Sequence, residues 1–86
     1  MVQKEFHITN ASGLHTRPGN EFIKISKQYN CAITLSKGDK TVDGKSLLKI
    51  MKANVVKGDT ITIGCSGDDE AEALSALEKF FDSLKE

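Results

Sequence analysis

The spacing of apolar side chains in this sequence switches between every second residue and every third or fourth, which limits the fold more than any other feature. Residues 2–8 alternate as a strand, with Phe6 and Ile8 inward and His7 on the outward face, where a histidine needs no special role. After the turn cluster Asn10-Ala11-Ser12-Gly13, a helical spacing begins near Pro18 and places Phe22, Ile25 and Tyr29 on one side. Pro18 suits a first turn, where its missing N–H costs nothing. Thr16 or Arg17 then falls at the cap, and Thr16 has the better cap chemistry. Residues 31–36 alternate again, Lys37-Gly38-Asp39 makes a tight turn, and a short strand near 40–43 completes a hairpin.

Ser46 is the natural N-cap of a short helix that carries Leu47, Leu48, Ile50 and Met51. Lys57-Gly58-Asp59 turns the chain into a strand over Thr60–Ser66. Gly67-Asp68-Asp69-Glu70 then opens a last helix, whose early acids suit its positive end. Ala71, Leu74, Leu77, Phe81 and Leu84 form its expected buried stripe. The order β-α-β-β-α-β-α, with alternating strands and amphipathic helices, predicts an α+β open-faced sandwich, its helices on one sheet face.

With 86 residues there is room for one domain, spanning 1–86. A domain of this size hides about 60% of its unfolded surface or slightly more, so it cannot wrap a deep cavity around a substrate. Chemistry would sit on the surface and be completed by a partner. A single Pro and no low-complexity stretch argue against disorder. No apolar run approaches the roughly 20 residues of a membrane span, and the start lacks a signal-peptide pattern, so the expected compartment is the cytosol. Cys31 and Cys65 each sit at inward positions of a strand pattern and read as small buried thiols, with no support for a metal site.

Charge is balanced overall but sorted along the chain. Residues 14–57 hold nine basic residues against three acidic, a net +6, and residues 58–86 hold two against eight, a net −6. Sorting of this kind steers an acidic partner to one face. Within the basic half, Gly13-Leu14-His15-Thr16-Arg17-Pro18 places an imidazole at a helix entrance with a guanidinium two residues on. Backbone amides at a helix start attract anions, and Arg17 adds planar donors matched to phosphate oxygens. Nearby positive charge is expected to keep the His15 ring neutral and nucleophilic near pH 7. These parts can hold a phosphoryl group on nitrogen, although ordinary polar loop residues would present the same letters.

The run Gly13–Pro18, with Lys45-Ser46-Leu47, Lys57-Gly58-Asp59 and Gly67-Asp68-Asp69-Glu70, resembles HPr, the histidine-containing phosphocarrier of the bacterial phosphoenolpyruvate-dependent sugar phosphotransferase system, from end to end. The resemblance implies a four-stranded antiparallel sheet with three helices on one face. It implies that His15 takes a phosphoryl group on Nδ1 from phosphorylated enzyme I and donates it to IIA domains of sugar permeases. Arg17 would neutralise that group, with Thr16 at the helix start. The implied docking set is Thr16, Arg17, Asn20, Lys24, Lys27, Leu47, Leu48, Lys49, Met51 and Lys52, although in so short a second helix Leu47 or Met51 could be core.

The resemblance further implies a monomer with no metal or organic cofactor and no membrane insertion. Ser46 could be a regulatory phosphosite for a serine kinase and phosphorylase. Gly19 stands where the family usually has alanine, which should loosen the first turn by about 1 kcal/mol. Asn20 and Asn54 are also less usual, and these departures bear on partner preference more than on phosphate chemistry. A paralogue serving a nitrogen-related or regulatory relay, and a binding module that carries no phosphate, are the competing readings. Nucleic-acid binding is disfavoured, since the basic stretch lacks interleaved aromatics and the pI is near 6.7.

Overall fold

The alternating segments pair as one antiparallel sheet. In a computed structural model that describes residues 1–9 and 16–84, the order is β1 (Val2–His7), α1 (Thr16–Lys27), β2 (Ala32–Lys37), β3 (Lys40–Asp43), α2 (Leu47–Ala53), β4 (Thr60–Ser66) and α3 (Glu70–Ser83). The strands lie in the order β1-β4-β2-β3, so β4 sits inside and pairs with both β1 and β2. Its register sets Phe6 opposite Ile61, Leu35 opposite Ile63 and Ile33 opposite Cys65. Ile33, Leu35, Ile61, Ile63 and Cys65 are all buried on the face that the helices cover. This is the open-faced α+β architecture expected from the alternation.

The helices bury faces that differ in detail from the sequence reading. In α1 the buried positions are Gly19, Phe22, Ile23 and Ser26, while Ile25 and, just past the helix end, Tyr29 are half-buried at the margin. In α3 they are Ala73, Leu77, Phe80 and Phe81; Leu74 and Leu84 are half-buried and Ala71 is exposed. The cause is aromatic packing of α3 on β1 and on α1. Phe81 stacks on Phe6 at 4.7 Å between centroids, and Phe80 meets Phe22 edge-on at 6.0 Å. Seating both phenylalanines turns α3 so that Ala73 points inward and Ala71 out.

Asp69 occupies the N-cap position of α3 but makes no cap bond there. Its carboxylate accepts instead from the backbone N–H groups of Asn30 and Cys31, at 2.8 and 2.9 Å. The entry to β2 is thereby tied to the entry of α3, and two N–H groups just ahead of β2 gain partners. Gly67 lies just before, with φ of 153°, and a Cβ there would stand 2.7 Å from the Cys31 Cα, so only glycine fits. Cys31 and Cys65 are free and buried, as expected, and they interact: burial, with Cys31 close by, pushes the Cys65 thiol up to about 11.

Among the described residues, three carboxylates titrate below their ordinary range. Asp59 is held down by the Lys37 ammonium, Asp69 by the Asn30 N–H and Glu70 by the Gly67 N–H. A carboxylate with a depressed folded-state pKa adds stability above its unfolded pKa and loses it as pH falls through the folded value. The urea midpoint should therefore hold from neutrality to about pH 4 and fall below it. Asp69→Asn should be less stable at pH 7 and show a flatter acid limb. An acid limb identical to that of the parent would contradict the role given to Asp69.

Candidate functional site

The site is built on the start of α1 and on the neighbouring α2, which pack against each other. His15, with residues 10–14, lies outside the described residues. The next residue, Thr16, is already the first of α1, so it belongs to the first turn and not to the cap position expected for it. Pro18 explains the difference: its fixed φ is helical, and at the third position its missing N–H would have had no acceptor inside the helix. The N–H groups of Thr16 and Arg17 belong to the same unpaired first turn.

The electrostatics of that turn favour an anion. It contains no acidic side chain, whereas α3 carries Glu70 and Glu72 in its own first turn. Arg17 is exposed, and Arg17, Asn20, Lys24 and Lys27 follow one another at spacings of three, four and three, all exposed on one stripe of α1. Lys24 and Lys27 also fall in the last turn, where positive charge offsets the helix dipole, so their presence has a structural reason as well.

In α2, Ile50 and Ala53 face the core, and Leu47 and Met51 are half-buried, with Leu47 packed against the core. Leu48 is 66% exposed and is flanked by exposed Lys49 and Lys52. Of the apolar residues expected in the docking set, Leu48 is therefore the one presented to solvent. Ser46 caps the helix as expected: its Oγ accepts from the Lys49 N–H at 3.4 Å. Asn54 closes it in the left-handed region, φ 53°, with its N–H donating to the Met51 carbonyl, which accounts for an asparagine at this position.

Two lysines of the basic half serve the fold, and nothing in the sequence signalled it. Lys45 Nζ donates to the Tyr29 carbonyl at 2.6 Å, just past the end of α1. Lys37 Nζ donates to the Asn54 carbonyl at 2.6 Å and pairs with Asp59 at 2.8 Å. His7 lies on the outward sheet face with Nδ1 3.2 Å from the Thr60 hydroxyl. Among the described residues, no group of three His, Cys, Asp or Glu is placed to hold a metal ion, and no helix is long and apolar enough to cross a membrane.

The chain that carries this helix start is similar to known proteins over nearly its whole length. The sequence model of the family described as "PTS HPr component phosphorylation site" matches residues 2–83. The chain belongs to the HPr family. It is 38% identical to phosphocarrier protein HPr of Borreliella burgdorferi over 86 residues, the whole of both chains. HPr-C-His of Thermoanaerobacter tengcongensis superposes with a TM-score of 0.95 at 33% identity, over 98% of this chain and 94% of that one. Crh, the catabolite repression protein of Bacillus subtilis, has a TM-score of 0.77 at 29% identity, over 100% and 99% of the two chains. HPr is the phosphocarrier component of the phosphotransferase system, which serves sugar transport.

The division of α2 into a core side and an exposed side is open to measurement. Leu48→Ala should change stability by about 0.5 kcal/mol or less, whereas Ile50→Ala should cost about 2–5 kcal/mol in urea unfolding. A comparable loss for both would place Leu48 in the core.

Proposed function

We propose that His15 accepts a phosphoryl group on Nδ1 from phosphorylated enzyme I and passes it to IIA domains of sugar permeases. The observation that carries this reading is the run Gly13-Leu14-His15-Thr16-Arg17-Pro18 within a family match that spans nearly the whole chain. The start of α1 at the residue after His15, and its first turn free of acids, support it. In the accepting step the Nδ1 lone pair forms a bond to phosphorus as the nitrogen–phosphorus bond of the donor breaks. The imidazole proton stays on Nε2. Donation reverses these bond changes on the IIA side. One nitrogen–phosphorus bond replaces another, so loading and unloading change the free energy little and transfer can run in either direction.

In this scheme Arg17 and the amides of the first turn neutralise the phosphoryl oxygens. Asn20, Lys24, Lys27, Lys49 and Lys52 receive acidic partner surfaces around exposed Leu48. The protein works as a monomeric single domain in the cytosol, without a resident cofactor, as a stoichiometric carrier regenerated in each cycle. A kinase acting at Ser46 would add negative charge to the middle of this face.

Incubation with phosphoenolpyruvate and enzyme I should yield an acid-labile, base-stable phosphoryl adduct, absent from His15→Ala. Labelling of His15→Ala would defeat the assignment. Ser46→Asp should slow transfer from enzyme I, and an unchanged rate would remove the physical basis for regulation there.

A further inference from the structure

Resting on the reading above, we infer that Lys37 is a positioning residue for phosphoryl transfer, which sets the direction of α2 without itself touching a partner. Lys37 is the last residue of β2, and its side chain is only 28% exposed. Its ammonium donates to the Asn54 carbonyl at 2.6 Å, reaches the Ala53 carbonyl at 3.4 Å and meets Asp59 Oδ2 at 2.8 Å. An ammonium has three protons, and these three oxygens use them all. Lys37 therefore belongs to the basic half of the chain by sequence but has no donor left for an acidic partner.

The three acceptors fall within residues 53–59, at least 16 residues after Lys37 in sequence, and divide between the end of α2 and the turn that follows it. The Ala53 and Asn54 carbonyls are the C-terminal end of α2, where the helix dipole is negative and a cation is favoured. Asp59 Oδ2 also accepts from the Val56 N–H at 2.9 Å, which shapes the turn into β4. That turn holds the residue after β1 from both sides: the Ile8 N–H donates to the Asp59 carbonyl, and the Gly58 N–H donates to the Ile8 carbonyl, each at 2.8 Å. One side chain thus joins the end of β2, the end of α2 and the turn that grips the end of β1.

The anchoring matters because α2 has only seven residues, too few to keep its own direction in water. Its first turn is fixed by Ser46. Its last turn carries Met51 and Lys52 from the expected docking set and leads into the Lys37 clamp. Releasing the ammonium leaves both docking side chains in the chain but frees the turn that aims them. The consequence belongs to partner binding rather than to the chemistry at His15.

The test compares Lys37→Met, which keeps the aliphatic stem, with Lys37→Arg, which keeps the charge. Both are made in the full chain and assayed where circular dichroism shows each fully folded. Phosphorylation by enzyme I and phosphoenolpyruvate is followed at varied carrier concentration. Lys37→Met should raise KM about three- to tenfold with kcat within about twofold of the parent, and Lys37→Arg should recover most of the loss. The amide resonances of Asn54 and Val56 should shift in Lys37→Met and return in Lys37→Arg, while those of Ile33 and Cys65 stay in place. An unchanged KM, or a fall in kcat alone, overturns the assignment. If the parent accepts no phosphoryl group, the transfer reading fails separately, and unmoved Asn54 and Val56 resonances then overturn the clamp on their own.

Discussion

The double pairing of β4 is the constraint on which the rest depends. As the last strand in sequence it lies between β1 and β2, so the sheet closes only when a segment near the end of the chain returns between two earlier ones. Contacts of this range are slow to form and cooperative once made. The inward side chains of β4 (Ile61, Ile63 and Cys65) are completely buried, and their register places the core positions of β1 and β2 beside them. The turn that feeds β4 grips Ile8 at the end of β1, and the turn that leaves it carries Asp69 to the entry of β2. The helices then cover a face whose layout is already fixed.

A helix start laid on this platform can be left electrostatically open because it is not needed to hold the fold. The acids of α3 stabilise the start of that helix, and Asp69 spends its charge on backbone N–H groups. The start of α1 is given no acid in its first turn, and Arg17 and Asn20 beside it are exposed. The basic half of the chain divides in the same way. Lys37 and Lys45 satisfy carbonyl groups of the fold, whereas Lys24, Lys27, Lys49 and Lys52 stay exposed around α1 and α2. A net charge counted over a segment mixes these two populations, and only the second can steer a partner.

The strands were legible in the sequence because a period of two leaves one solution once a face is buried. β4 was expected over Thr60–Ser66 and is found there, and the inward set Cys31, Ile33 and Leu35 is buried as expected. The helix faces were less legible. A helix stripe is wide, and whether Ile23 or Ile25, Ala71 or Ala73, lies at its centre depends on partners elsewhere in the chain. Phe80 and Phe81 settled that for α3 by packing on Phe22 and Phe6. The bonds of Asp69, Lys37 and Lys45 span 16 to 39 residues, and no local pattern encodes them. In the candidate site, Arg17, Leu48 and the lysines of the expected docking set are exposed, Thr16 moves into the helix, and His15 rests on its motif.

The proposed transfer turns on one atom, Nδ1 of His15. Imidazole-labelled protein, charged with phosphoenolpyruvate and enzyme I, would show by nitrogen and phosphorus resonance which ring nitrogen bears the phosphoryl group. A single nitrogen–phosphorus coupling is expected, at His15 Nδ1, with His7 unaltered. Coupling at Nε2, at His7, or a phosphorus signal confined to a serine oxygen would contradict it.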